Sequence, residues 1–122
     1  MPFFGWREVD AQQVLRLLRM TRELFLTPKT WVYWPKAVDT LGQEIDPTNE
    51  KAYQWSLSGA FEKFAWQELW DISEPNYLIC AAQDFLNDTS GGQLIRGKLD
   101  YDDEMILLDL GIEHLAKEKT DE

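Results

Sequence analysis

Hydrophobic positions recur at helical spacing in four stretches of the chain. Val14, Leu17, Leu18, Thr21, Leu24 and Phe25 share one face of a helix predicted over 10–26. Asp10 stands at its N-cap, and Pro28 ends it near Thr27, because a residue before proline avoids helical geometry. Further on, Ser73-Glu74-Pro75 opens a helix over 74–87 that points Leu78, Ala81, Ala82 and Phe85 inward. Asp100 caps the last helix, over 101–117, with Met105, Leu108, Gly111, Ile112 and Leu115 on its inner stripe. Acids crowd its first turn, where the helix dipole favours them, and residues 118–122 are expected to fray.

The remaining helix, from Asp46-Pro47 to about Trp70, is the unusual one. Tyr53, Leu57, Ala60, Phe61 and Phe64 form one stripe, while Ala52, Trp55, Gly59, Trp66 and Trp70 fall opposite. An ordinary amphipathic helix needs one apolar face. Two faces mean either a helix buried at the centre of the fold or one that offers its second stripe to a partner. The small residues Ser56, Ser58 and Gly59 at mid-helix predict that another backbone passes close by. The pattern changes once, between helices 1 and 2. Residues 30–35 (Thr-Trp-Val-Tyr-Trp-Pro) alternate with period 2, a turn-prone Asp39–Gly42 follows, and then Gln43-Glu44-Ile45. This reads as a short hairpin or an ordered aromatic loop, with Trp31 and Trp34 on opposite faces. The fold class expected is therefore mainly α, a four-helix domain with a small aromatic hairpin or loop.

Composition agrees. A chain of 122 residues with 44% hydrophobic and 28% charged residues fits one globular domain over 1–122, and no apolar run approaches a membrane span. Acids stand early in MPFFGWREVD, where a signal peptide would carry apolar residues, and Phe3, Phe4 and Trp6 are expected to cap one end of the bundle. The lone Cys80 can form no internal disulfide and is expected to be a small buried hydrophobe, which fits a reducing cytoplasm.

Charge alters the functional picture more. The net charge is −10, with +1 over residues 1–26 and −7 over 99–122. Such a field repels a phosphate backbone, so direct nucleic-acid binding is disfavoured. It suits a protein partner with a basic surface. The opposite signs of the two ends also predict that the terminal helices lie side by side.

Catalytic chemistry finds little support. Gly92 to Lys98 fits the G-x-x-x-x-G-K frame of a phosphate loop, but Leu99 replaces the magnesium-binding hydroxyl and a helix precedes it. His114 is the only histidine, with Glu118 its nearest sequence partner, and it reads as a surface residue. One Cys and one His give no zinc spacing, and the acids from Asp100 to Glu104 lack the glycine of a calcium loop. No serine has both a sharp turn and a base. No cofactor or metal is expected.

Read in order, these elements resemble an uncharacterised family of small phage and bacterial proteins, known only as a domain of unknown function. The similarity runs through the first helix, the Trp31–Gly42 segment, Ala52-Tyr-Gln-Trp55-Ser-Leu-Ser-Gly59-Ala60, Phe85-Leu-Asn87-Asp88 and Gly111-Ile-Glu-His-Leu115-Ala116. This chain has Ser56 where relatives usually carry Cys, and Gly111 where they tend to have Ala. The resemblance implies a compact helical fold and a phage origin, and it brings no activity. It also marks Asn87 and Asp88, either as a cap between helices or, with Trp55, as a small ligand site.

The function expected is a non-enzymatic acidic protein-binding module, a modulator or inhibitor of a host protein in the host cytoplasm. Its contact residues would be Asp100, Asp102, Asp103 and Glu104, with Trp66 and Trp70. The alternatives are a ligand-binding domain or enzyme using the Asn87/Asp88 loop, and a homodimer joined through the Trp stripe.

Overall fold

A computed structural model describes residues 11–68, 75–91 and 99–120, with side chains as far as Lys117. The Asp10 cap, the Phe3–Trp6 cluster, Trp70, Ser73-Glu74 and the Gly92–Lys98 frame lie outside the described residues.

The first predicted stripe is the one buried. In α1 (Ala11–Leu24) Val14, Leu17, Leu18 and Thr21 have no exposure, nor does Phe25 just beyond it. The chain leaves α1 into a single 3₁₀ turn over Pro28–Thr30, with Thr27 extended just before the proline. The carbonyls freed at the helix end find new donors. Thr30 Oγ1 donates to the Leu24 carbonyl at 2.6 Å, and the Tyr101 hydroxyl donates to that of Phe25 at 2.6 Å.

Beyond this turn the structure corrects two expectations. Residues 30–35 are not a strand; Trp31 makes only an isolated bridge to Trp55. The strand is β1 (Ala37–Val38), and it pairs antiparallel with β2 (Gln54–Trp55), Ala37 opposite Trp55. The predicted Asp39–Gly42 turn is there. Asp39 Oδ1 accepts from the amides of Leu41 and Gln43, and Gly42 takes φ +80°. Trp31 turns partly inward and Trp34 outward, 77% exposed.

The second correction is to the long central helix. Asp46-Pro47 starts no helix: Asp46 Oδ1 accepts from both the amide and the hydroxyl of Thr48, and Asn49 makes the next turn by accepting from Lys51. The same side-chain chemistry that caps a helix also closes such turns. Residues 53–56 are then drawn into the sheet, Tyr53 N–H donating to Val38 and Ser56 N–H to Lys36. Helix α2 runs only over Leu57–Gln67, with Ser56 as its N-cap accepting from Gly59 N at 3.2 Å. Ser56→Ala is expected to cost about 1 kcal/mol, read as a lower urea midpoint at unchanged slope.

The two-faced reading therefore fails except at Gly59, the one described residue of the second stripe that is buried within α2. Tyr53 is exposed, Trp55 belongs to a strand, and Trp66 is exposed on the outside of α2. Yet a backbone does cross at Gly59. A Cβ there would lie 1.8 Å from the Lys36 carbonyl oxygen.

Helices α3 (Pro75–Thr89) and α4 (Tyr101–Thr120) complete the domain, α4 continuing through residues expected to fray. Leu78, Ala81, Ala82 and Phe85 are buried as predicted, as are Met105, Leu108 and Leu115. Cys80 is exposed, not a core residue. The four helices form one bundle: α1 packs on α2, α3 and α4, α2 on α3, and α3 on α4. One continuous core fills it, each fully buried Leu or Phe contributing about 1.5–3 kcal/mol. The terminal helices do lie side by side. Leu18 packs over Gly111, Arg22 pairs with Asp109 at 2.9 Å and Phe25 meets Tyr101, so α1 and α4 run antiparallel.

Candidate interaction surface

The four acids at the start of α4 have three different situations. Asp100 is the cap, its Oδ1 accepting from Asp103 N at 2.9 Å. Glu104 points inward and is 8% exposed. Trp31 Nε1 donates to its Oε1 at 2.9 Å, and the Trp31 ring stands edge-on to Tyr101 at 5.8 Å. Burial raises the Glu104 carboxyl to about 7; the Trp31 N–H opposes this, and the Asp100 charge adds to it. Glu104 thus ties α4 to the chain around Trp31 and is not a surface contact. Only Asp102 and Asp103 are left facing solvent without a capping or core role.

Those two begin a longer exposed face. At 100° per residue, Asp102, Ile106, Asp109 and Glu113 follow one another up the outside of α4, with Asp103 and Leu110 beside them. Ile106 is 58% exposed and Leu110 is 50% exposed. They sit four residues apart and so form one apolar spot, flanked by Asp102, Asp103, Glu113 and the Arg22-paired Asp109. Beside the spot lies an open cleft of about 310 Å³, between Asp103, Ile106 and Leu110 on α4 and Thr89 and Ser90 at the end of α3, with Leu99 in its wall. The sequence carries a signal for Ile106 and Leu110 beyond the residues expected at this surface, since both fall off the inner stripe and onto the acidic side.

A second cleft, of about 270 Å³, lies on the outside of α1. Arg16, Arg19 and Met20 line it with Gln12 and Glu23, over the buried Leu15.

Asn87, Asp88 and Trp55 are not gathered around either cleft. Asn87 and Asp88 close the end of α3: the Ser90 hydroxyl donates to the Asn87 carbonyl, and Gly91 N–H to that of Asp88, with Gly91 at φ +68°. Trp55 is buried in β2, its indole N–H donating to the Pro47 carbonyl at 3.0 Å and its ring lying under Lys63. The Trp stripe is divided in the same way, with Trp55 in the core and Trp66 47% exposed.

Among the described residues no group of three or more His, Cys, Asp or Glu is placed to hold a metal ion, and no helix is long and apolar enough to cross a membrane. His114 is exposed, its ring tilted against that of Phe85 at 5.8 Å.

No protein-family model, curated protein or solved structure matches the chain. What the protein does has to be read from its own surface.

Proposed function

We propose that this protein is a non-catalytic binding module that docks a basic, amphipathic segment of another protein on the outer face of α4. The observation that supports this reading is the exposed Ile106–Leu110 pair flanked by Asp102, Asp103 and Glu113, with Asp109 beside it in its pair with Arg22. Exposed carboxylates alone would be an ordinary solvated helix face. Two half-exposed branched side chains among them, beside a cleft, supply what charge cannot: apolar area to bury and a place for an anchor. The occupant that complements both is a helix with leucines along one face and arginines or lysines flanking it. The carboxylates steer it and set its orientation, while the apolar pair contributes the larger share of affinity. A module of this kind modulates or inhibits its partner by covering the partner's basic segment.

The test uses a synthetic amphipathic helix with leucines at i, i+4 and arginines on either side, titrated into the full chain by calorimetry. Binding is expected, weakening as NaCl rises from about 50 to about 500 mM. Ile106→Ser with Leu110→Ser should weaken it about tenfold or more, since both side chains lose apolar contact. A scrambled peptide that binds equally, or a double variant that binds like the parent, overturns the reading.

A further inference from the structure

The reading above leaves open which helix the α4 face receives. This chain itself carries one of the right kind.

The outer face of α1 presents Arg16 and Arg19 around Met20, over the second cleft. With Glu23 on the same face its net charge is +1, in a molecule whose net charge is −10. The outer face of α4 presents Ile106 and Leu110 among carboxylates. The two faces belong to neighbouring antiparallel helices, one positive row beside one negative row. Such a pair of rows is self-complementary under a two-fold axis. With the axis parallel to the helices and between them, α1 of one copy lies across α4 of the other, and the reverse.

The pairing can be followed residue by residue. An axis parallel to the helices leaves every residue at its own height. Within one copy Leu18 is level with Gly111, and Arg22 with Asp109. Arg16 is then about level with Glu113, each two residues from the Leu18–Gly111 pair. Arg19 and Met20 are about level with Leu110 and Asp109. Across the axis Arg16 therefore meets Glu113, Met20 comes level with Leu110, and Glu23 comes level with Ile106, while Asp109 stays with Arg22 of its own copy. The opposite choice of axis, perpendicular to the helices, would stack α1 on its like-charged counterpart.

Resting on the reading of the α4 face as a docking surface, we propose that a second copy of this chain is an occupant of it, joined through α1 and α4 in a symmetric dimer. Each contact occurs twice. The Arg16–Glu113 pair is the one to reverse, because both side chains are exposed and neither takes part in the core or in the Arg22–Asp109 ion pair.

The experiment is sedimentation equilibrium of the full chain from about 5 to about 500 μM, a range that brackets dimers of modest interface. The parent is expected to pass from monomer to dimer within it. R16E and E113R should each raise the dissociation constant on the order of tenfold, since a favourable pair becomes a repulsion at two places per dimer. An equimolar mixture of R16E and E113R should regain the parent affinity: one pair is native and the other is reversed but complementary. K51E, an exposed turn residue distant in sequence from both rows, changes net charge as R16E does and should leave the equilibrium in place.

Three results overturn the proposal. One is a parent that remains monomeric throughout; another is single reversals that dimerise like the parent, which would move the contact to another face such as that of Trp66; the third is a mixture that gains nothing over either variant alone. If the chain stays monomeric but still binds the synthetic basic helix through Ile106 and Leu110, the second copy is the wrong occupant and the docking surface stands. If it binds neither, both fall.

Discussion

Alanine at Gly59 is expected to cost the domain about 3 kcal/mol or more, a large share of what a small fold has to lose. The obstacle is backbone. A Cβ would stand 1.8 Å from the Lys36 carbonyl oxygen and 2.7 Å from its carbon. That carbonyl has little freedom to retreat, since it accepts the Ser56 amide at 2.9 Å and the next residue, Ala37, is paired with Trp55. Helix propensity favours alanine by only about 1 kcal/mol, too little to offset such an overlap. Gly111 is the control. A Cβ there would meet the side-chain ends of Leu86, Phe85 and Leu18 at 3.0–3.3 Å, and such ends can shift by tenths of an ångström. G111A should therefore cost much less than G59A. Urea unfolding of both variants measures this, and a G59A midpoint equal to the parent's would mean that the strand at Lys36 yields.

The second large effect is a loss of stability with rising pH. Glu104 has its carboxyl raised from 4.5 to about 7 in the folded protein. The folded state therefore binds this proton more tightly than the unfolded chain does. The stability that results is complete below about pH 4.5 and is lost as pH rises through about 7, on the order of 3 kcal/mol in all. Asp46 works the other way. Its bonds from Thr48 lower its carboxyl, so its smaller contribution is present above the ordinary carboxylate range and lost in acid. Stability through these two groups is thus greatest in mildly acid solution. Glu104→Gln keeps an acceptor for the Trp31 indole and removes the charge. Chemical unfolding at pH 5 and pH 8 should show a steep decline for the parent and a shallow one for E104Q. Equal declines would mean that the burial of Glu104 does not govern the pH response.

Much of this architecture was legible beforehand because the physics behind it is local. The α1 stripe, the stop at Pro28, the Asp39 turn with Gly42 and the Asp100 cap each depend on residues a few positions apart. The inner faces of α3 and α4 follow from period alone. What went unread depends on partners far along the chain. Tyr53, Gln54 and Trp55 have a spacing that suits a helix, and only the pairing with residues 37–38 makes them a strand. Asp46-Pro47 carries a start signal that a turn uses equally well. Ser56 has one nearby cue, an N-cap with Gly59 three residues on, which a start at residue 47 hid. Among the acids of α4, Glu104 stands four residues before Leu108 on the inner stripe, so its burial follows from period, whereas its partner Trp31 is 73 positions away. The crossing at Gly59 was foreseen for a sound reason, although Ser56, grouped with it, is small for a different one.

The side-by-side packing of α1 and α4 also bears on how the chain is made. Arg22 and Asp109 are 87 positions apart, and the leucine stripe of α1 is covered in part by residues of α4. During synthesis α1 emerges long before that cover exists, so its apolar face must wait, open to solvent or to a chaperone, until residues beyond 100 have left the ribosome. A chain arrested before α4 would leave the part of that stripe around Leu18 as a sticky surface, and quality control would meet it as a client rather than as a smaller stable domain.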